Sequence, residues 1–196
     1  QIEASAVSGG TPEWETMGSG VGDLDGDGYG DLVVADRGYD DDDSFNNVGR
    51  VWALWGRTSS YGVTNASMDS TATTLMTGET LRDYVGAGVG MSDNPDSDAD
   101  DLWVMGLKAE ELWFYNGGTD MRTGGLDAQD DAVATFEMGT DKPTGFFNPG
   151  DWSGDGNDDI GISFGNDDSG YVMFFENMQW TGDFVGEDAA MGSIYG

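Results

Sequence analysis

The sequence predicts an all-β fold assembled from repeated four-stranded sheets, and three observations lead there. Short apolar segments recur at a fixed interval, each is bounded by Gly, Asp, Asn or Ser, and no stretch keeps a helical period. A chain of 196 residues is long enough to bury a substantial core. Hydrophobic residues at 37% and aromatics at 12% set it apart from disordered acidic, Gly-rich sequences.

The repeat shows in three series. Val51-Trp52-Ala53-Leu54-Trp55-Gly56, Leu112-Trp113-Phe114-Tyr115-Asn116-Gly117 and Val172-Met173-Phe174-Phe175-Glu176-Asn177 close at positions 61 and 60 residues apart. Thr74-Leu75-Met76-Thr77-Gly78, Thr135-Phe136-Glu137-Met138-Gly139 and Gly192-Ser193-Ile194-Tyr195-Gly196 end in glycines 61 and 57 apart. The third series, Asp31-Leu32-Val33-Val34, Asp101-Leu102-Trp103-Val104 and Asp159-Ile160-Gly161-Ile162, follows an acidic loop each time. Unrelated series sharing one period mark a structural repeat, and four strands per ~60 residues fits a propeller blade.

Taken in order, the first unit (10–78) should hold strands near 17–22, 32–36, 50–55 and 72–77. The second (79–139) should hold them near 85–90, 101–105, 111–116 and 132–138, and the third (140–196) near 146–150, 159–164, 171–176 and 189–195. The opening residues 1–9, with Ser5-Ala6-Val7-Ser8-Gly9 matching the Gly-ended series, are expected to be the surplus last strand of a preceding blade. Three blades do not close a ring where roughly 4 to 8 are usual. The expectation is therefore a segment of a larger propeller, completed by further blades of the same polypeptide or by other copies.

Charge narrows the partners. There are 38 acidic residues against 7 basic ones, a net charge of −31, and neither Cys nor His. Phosphate contacts need Lys and Arg, so nucleic acid and anionic membrane surfaces are excluded as partners. No apolar run reaches the roughly 18 residues of a membrane-spanning helix. The absence of Cys removes disulfides, thiolate metal sites and redox chemistry. Much of the acidity reads as a hydrated surface, but hard divalent cations are the natural counter-ions of clustered carboxylates.

The positions of those carboxylates carry the chemistry. In Asp23-Leu24-Asp25-Gly26-Asp27-Gly28-Tyr29-Gly30-Asp31, acids stand at loop positions 1, 3, 5 and 9 and glycine at position 6. Alternate residues of a tightly curled loop point inward, placing Asp23, Asp25 and Asp27 around one centre. Gly28 permits the turn that brings the Tyr29 carbonyl to it, and Asp31 closes the shell, a set of oxygens suited to Ca2+. The third unit repeats the loop as Asp151-Trp152-Ser153-Gly154-Asp155-Gly156-Asn157-Asp158-Asp159. Its expected ligands are Asp151, Ser153, Asp155, the Asn157 carbonyl and Asp159, with weaker binding because Ser153 is neutral. The second unit has Asp93-Asn94-Pro95-Asp96-Ser97-Asp98-Ala99-Asp100-Asp101, whose acids no longer alternate, and tight binding is not expected there. An EF-hand would need Glu at position 12 and flanking helices, but Val34 stands there in a strand.

With Met17-Gly18 before the first loop and Leu32-Val33-Val34-Ala35 after it, the chain resembles an FG-GAP repeat. That family builds the seven-bladed propeller of integrin α subunits and many bacterial surface and secreted proteins. The resemblance implies Ca2+ in the hairpin between the first two strands of a blade, an extracellular or cell-surface setting, and a binding or structural role rather than catalysis. The likeness is strong in the first unit, fair in the third and weak in the second. The GAP triplet has become Ala35-Asp36-Arg37, Met105-Gly106-Leu107 and Phe164-Gly165-Asn166, so a protein or carbohydrate ligand is not specified. Two rival settings are a propeller of a carbohydrate-active enzyme, of the polysaccharide lyase kind, and a subunit of an extracellular filament.

Other signals fall to simpler readings. Gly161-Ile162-Ser163-Phe164-Gly165 matches a hydrolase elbow, yet no His exists to take the proton, so it reads as a strand. Gly18-Ser19-Gly20-Val21-Gly22 and Gly86-Ala87-Gly88-Val89-Gly90 lack the Lys of a phosphate cradle and read as close-packed inner strands. Trp52, Trp55, Trp103, Trp113, Phe114, Tyr115, Phe174 and Phe175 read as core, while Tyr29 and Trp152 should be exposed. Asp40–Asp43 reads as a solvated loop, and Asn65-Ala66-Ser67 as a glycosylation sequon.

Overall fold

The computed structural model describes residues 2–3, 17–41, 47–58, 66–139, 143–165, 170–176 and 180–195. In chain order the strands are β1 (Ile2–Glu3), β2 (Met17–Gly22), β3 (Asp31–Asp36), β4 (Arg50–Leu54), β5 (Ala66–Ser67) and β6 (Thr73–Thr77). They continue as β7 (Val85–Ser92), β8 (Asp101–Gly106), β9 (Glu111–Tyr115), β10 (Ala134–Glu137) and β11 (Pro143–Gly150). The last are β12 (Asp159–Gly165), β13 (Gly170–Phe175), β14 (Gly182–Val185) and β15 (Gly192–Tyr195). Every one of the twelve strands expected in the three units is present.

The protein is all-β, with three sheets of antiparallel strands ordered β2-β3-β4-β6, β7-β8-β9-β10 and β11-β12-β13-β15. Among the described residues these form no closed barrel or ring. No described helix is long and apolar enough to cross a membrane. Two single-turn helices, α1 (Met68–Thr71) and α2 (Gly186–Ala189), stand just before β6 and β15. The last strand therefore starts at Gly192 rather than 189, because Gly186-Glu187-Asp188-Ala189 has no β-branched or aromatic residue to hold a pleat.

Alternation explains why the strands read as unbroken apolar runs. In β8, Leu102 and Val104 join the core shared with the first sheet, whereas Trp103 and Met105 join the core shared with the third. In β9, Trp113 and Tyr115 face one way and Leu112 and Phe114 the other. A strand covered on both faces has no polar side, so its period-2 signal is lost in composition. Trp52, Trp103, Trp113, Phe114, Tyr115, Phe174 and Phe175 are buried, and Tyr29 and Trp152 are exposed.

The Gly-rich strands β2 and β7 lie side by side, and β7 lies against β11. A Cβ on Gly20 would come within 3.2 Å of the Gly90 and Met91 backbone, so backbone meets backbone there. Ser163 sits inside β12, its hydroxyl 3.3 Å from the Gly145 carbonyl, and the next described element is the strand β13.

Parallel pairs outside the expected pattern join consecutive units. β14 pairs with β10, and an isolated bridge joins Leu126 to Met76. In both, the connection leading to a unit's fourth strand lies on the fourth strand of the unit before. β5 makes a parallel pair of the same kind with β1, at Ile2–Glu3. Residues 4–9, on which the Gly-ended match fell, lie outside the described residues, as do Asp42 and Asp43 of the acidic run, Asn65 of the sequon, Asn166, Asn177 and Gly196.

Trp103 touches Phe114, Phe136 and Phe175 with ring centres 4.8, 5.5 and 6.5 Å away, at the heart of the core between the second and third sheets. Trp103→Ala is expected to cost about 3 to 5 kcal/mol. The check is the urea midpoint of unfolding; a loss below about 1 kcal/mol would mean that this cluster does not carry the interface.

Candidate metal centre

The loop of residues 23–31 joins β2 to β3. Its first aspartate organises the curl: Asp23 Oδ1 accepts the amides of Gly26 and Asp27 at 2.9 and 3.0 Å, and Oδ2 accepts that of Gly28 at 2.7 Å. Gly26 and Gly28 have φ of +75° and +85°, conformations that side chains with a Cβ rarely adopt. Asp25 Oδ1 accepts the Asp27 amide, and Asp27 Oδ1 accepts that of Tyr29. Asp23, Asp25 and Asp27 thereby each bring a carboxylate oxygen within 4.8 Å of the others. Oxygens around one Ca2+ sit about 2.3 to 2.6 Å from it, hence at most about 5 Å apart.

Asp31 does another job here. It is 1% exposed, with Oδ2 on the Leu24 amide at 2.9 Å and Oδ1 on the Gly56 amide at 2.6 Å. Burial pushes its pKa up, and the charge of Asp25 adds to that, against the pull of the amides. It fastens the start of the loop to the end of β4, while the three earlier acids gather. Tyr29, whose carbonyl the sequence placed among the ligands, lies in an exposed turn.

The third loop repeats this scaffold. Asp151 Oδ1 accepts the Gly154 amide at 2.6 Å and Oδ2 the Gly156 amide at 3.0 Å, with φ of +83° and +101° at the two glycines. Asp155 accepts the backbone amide of Asn157, which draws its pKa down, and Asp159, fully buried, accepts the Ser153 amide at 2.7 Å. The first, fourth and sixth positions thus match the first loop bond for bond, although Trp152 is exposed and stacked on Phe174 where Leu24 is buried.

The second loop is held without glycines. Asn94 donates from Nδ2 to Asp101 Oδ1 and accepts the Asp96 amide, and Ser97 bonds to the Ala99 backbone. Asp93, Asp96 and Asp98 are exposed and do not gather. Asp101 keeps the fastening role, with the Gly117 amide at 3.0 Å, but its buried Oδ2 accepts no hydrogen bond. Position 3 is Pro95, which has no N–H, whereas Ser153 supplies that bond in the third loop.

Two contacts were invisible in the sequence. Asp100 accepts the Asp23 amide at 2.6 Å and donates its own amide to the Asp23 carbonyl at 2.8 Å. Arg122, from the single-turn 3₁₀ helix Thr119–Thr123 between β9 and β10, sets Nε against Asp25 Oδ2 and Nη2 2.5 Å from Asp27 Oδ2. Neither lies near the first loop in sequence, and no spacing rule connects them to it.

The donor set suits a hard cation. Asp25 is 2% exposed, and its Oδ2 takes no amide of the loop and is met by the Arg122 guanidinium alone. A buried carboxylate is costly unless a charge stands against it, and a divalent cation could take the place the guanidinium holds. No protein-family model and no curated protein matches this chain.

Asp101 is pushed up to about 6, first by burial and further by the charge of Asp100, against the Gly117 amide and Asn94. A raised pKa in the folded state favours the protonated form. Its contribution to stability is complete below the unfolded value near 3.8 and is lost as pH rises through about 6. Asp101→Asn should flatten the pH dependence of the urea midpoint between about pH 4 and 6. An unaltered profile would show that Asp101 titrates normally.

Proposed function

We propose that this chain is a segment of a Ca2+-stapled β-propeller of the FG-GAP kind, exposed outside the cell and used for adhesion, recognition or assembly. The observation that carries the reading is the convergence of Asp23, Asp25 and Asp27 in a hairpin between the first two strands of a sheet, with no amide of the loop on the Oδ2 atoms of Asp25 and Asp27. Repulsion among three such carboxylates is of the order of 3 kcal/mol per pair at an effective dielectric of about 20. A divalent cation removes that cost and fixes the turn.

Three antiparallel sheets in sequence order, consecutive ones sharing a core and each first strand lying against the next unit's, support the propeller part of the proposal. The parallel pairs between neighbouring units support a continuing array rather than three separate sheets. In the bound state Asp23, Asp25, Asp27, Asp31 and the Tyr29 carbonyl would hold the first ion, with Asp31 also keeping its amides. Asp151, Ser153, Asp155, Asp159 and the Asn157 carbonyl would hold the second. Loops short of a full carboxylate set suit the millimolar Ca2+ found outside cells. The net charge of −31 directs recognition away from anionic polymers. The exposed Trp152, stacked on Phe174 with ring centres 4.7 Å apart, offers a flat face to a sugar ring or an aromatic side chain.

Chelation with EDTA at low ionic strength, without magnesium, should lower the melting temperature by several degrees, as loss of a bound ligand requires. An identical melt with and without Ca2+ would reject the staple. Asp27→Ala should remove the first site while sparing the second. Calorimetry that still counted the wild-type number of sites would reject the ligand assignment.

A further inference from the structure

The chain has only seven basic residues, and one of them is aimed into the first acidic loop. Arg122 does not reach it by chance of a long side chain. Its turn is pinned to the first unit on both sides: Gly118 donates to the Leu24 carbonyl at 2.8 Å, Gly125 to Thr74 at 3.2 Å and Leu126 to Leu75 at 2.7 Å. Met121, next to it, is buried in the core between the two sheets. The guanidinium carbon also lies 5.3 Å from the centre of the Trp55 ring.

The oxygens it meets are the decisive point. Asp25 Oδ1 and Asp27 Oδ1 are taken by amides of the loop itself. Their Oδ2 atoms are the ones left for a cation, and these are the two that Arg122 faces. The Asp25 side chain is wholly covered while that of Arg122 is 43% exposed, so the arginine stands between this carboxylate and water.

We infer that Arg122 is a built-in counter-cation that competes with the metal for Asp25 Oδ2 and Asp27 Oδ2. The inference rests on the metal reading of residues 23–31. Without metal the guanidinium relieves the repulsion of the gathered acids and holds the second unit to the first. Loading the loop ejects it. A neighbouring unit thus sets the affinity of the site and keeps the loop gathered when the metal is scarce. The third loop is the control within the same chain, since Asp151 makes the same two glycine bonds as Asp23 while the ion pairs described for Arg122 are to Asp25 and Asp27.

The test is Ca2+ calorimetry on the full chain, wild type against Arg122→Gln, with melts in EDTA at low salt. Removing a positive charge from the site should tighten binding at the first loop about tenfold or more and leave the third loop unmoved. The metal-free variant should melt lower than the metal-free wild type. Arg122→Lys, which keeps the charge without the two-point grip, should bind with an affinity between the two and show that the variants are folded. Wild type and variant binding equally well, or the variant binding more weakly, would overturn the competition and leave the metal site standing. No binding by either protein would overturn the metal reading and this inference together. A variant that binds where the wild type does not would be the competition in its strongest form.

Discussion

A buried carboxylate at the head of each sheet's second strand is the contact on which the rest of the architecture depends. Asp31, Asp101 and Asp159 are 1%, 0% and 0% exposed. Burying a charge is expensive unless charge-assisted hydrogen bonds replace its water. Here they do so with backbone amides of the chain itself. Asp31 takes amides from both ends of an otherwise loose path, at Leu24 and at Gly56, so one side chain fixes where the hairpin loop starts and where the third strand stops. Asp101 makes the corresponding bond to Gly117, which follows the second sheet's third strand as Gly56 follows the first's. The aspartate therefore sets the register of three strands at once, and an Ala there would leave buried amides without partners as well as an empty space.

The gathering of acids at the first loop follows from that fastening. Once the entry and exit of residues 23–31 are fixed, the loop must curl, and Gly26 and Gly28 take the left-handed conformations the curl requires. Asp23 then has amides on both oxygens, and Asp25 and Asp27 have one oxygen each turned back on the loop. Three carboxylates are brought together by hydrogen bonds that each make local sense and that collectively create a concentrated negative charge. Arg122 supplies a positive charge to this arrangement, from the side of the two Oδ2 oxygens that the loop itself does not use, and the proposed metal would need those same oxygens. The third loop reaches the same backbone by the same bonds from Asp151, so the curl belongs to the scaffold and not to the particular number of acids.

The fold was legible because the repeat states each strand three times. Asp31-Leu32-Val33-Val34 alone is a short apolar run; beside its two counterparts it is a strand in a defined place. The curl of the loops was legible too, since Gly at position 6 and acids at odd positions leave little choice of backbone. What stayed hidden has a common cause. Arg122 meets Asp27 across 95 residues, and Asp100 meets Asp23 across 77, so no local pattern records either contact. The strands β5 and β14 are short and poor in β-branched residues, and they exist because a neighbouring edge offers hydrogen bonds rather than because Gly182-Asp183-Phe184-Val185 prefers to be extended. The division of labour within the loop was hidden for a subtler reason. Position 9 looks like one more ligand when only spacing is visible, and its burial and its amides appear only once the sheet is assembled.

The degenerate second loop makes sense as the support for the first. Counted by spacing it is a failed copy: Pro95 at position 3, Ser97 at position 5 and Asp98 in place of glycine. In space its last three residues form the floor beneath residues 23–31. Ala99, 6% exposed, lies where a Cβ on Gly26 would come within 3.3 Å, and Asp100 exchanges hydrogen bonds with both backbone groups of Asp23. Asp100 carries its own penalty, since burial first, and then Asp93 and Asp23, push its pKa up. A side chain held at that cost against a neighbour's amide is not free to turn toward a cation in its own loop. Glycine at position 6 would give the second loop the curl of the first, but would withdraw the rigid turn that presents Ala99, Asp100 and Gly117 to the adjoining unit. The middle unit has the acids of a metal loop and spends their geometry on holding the loop next to it in shape.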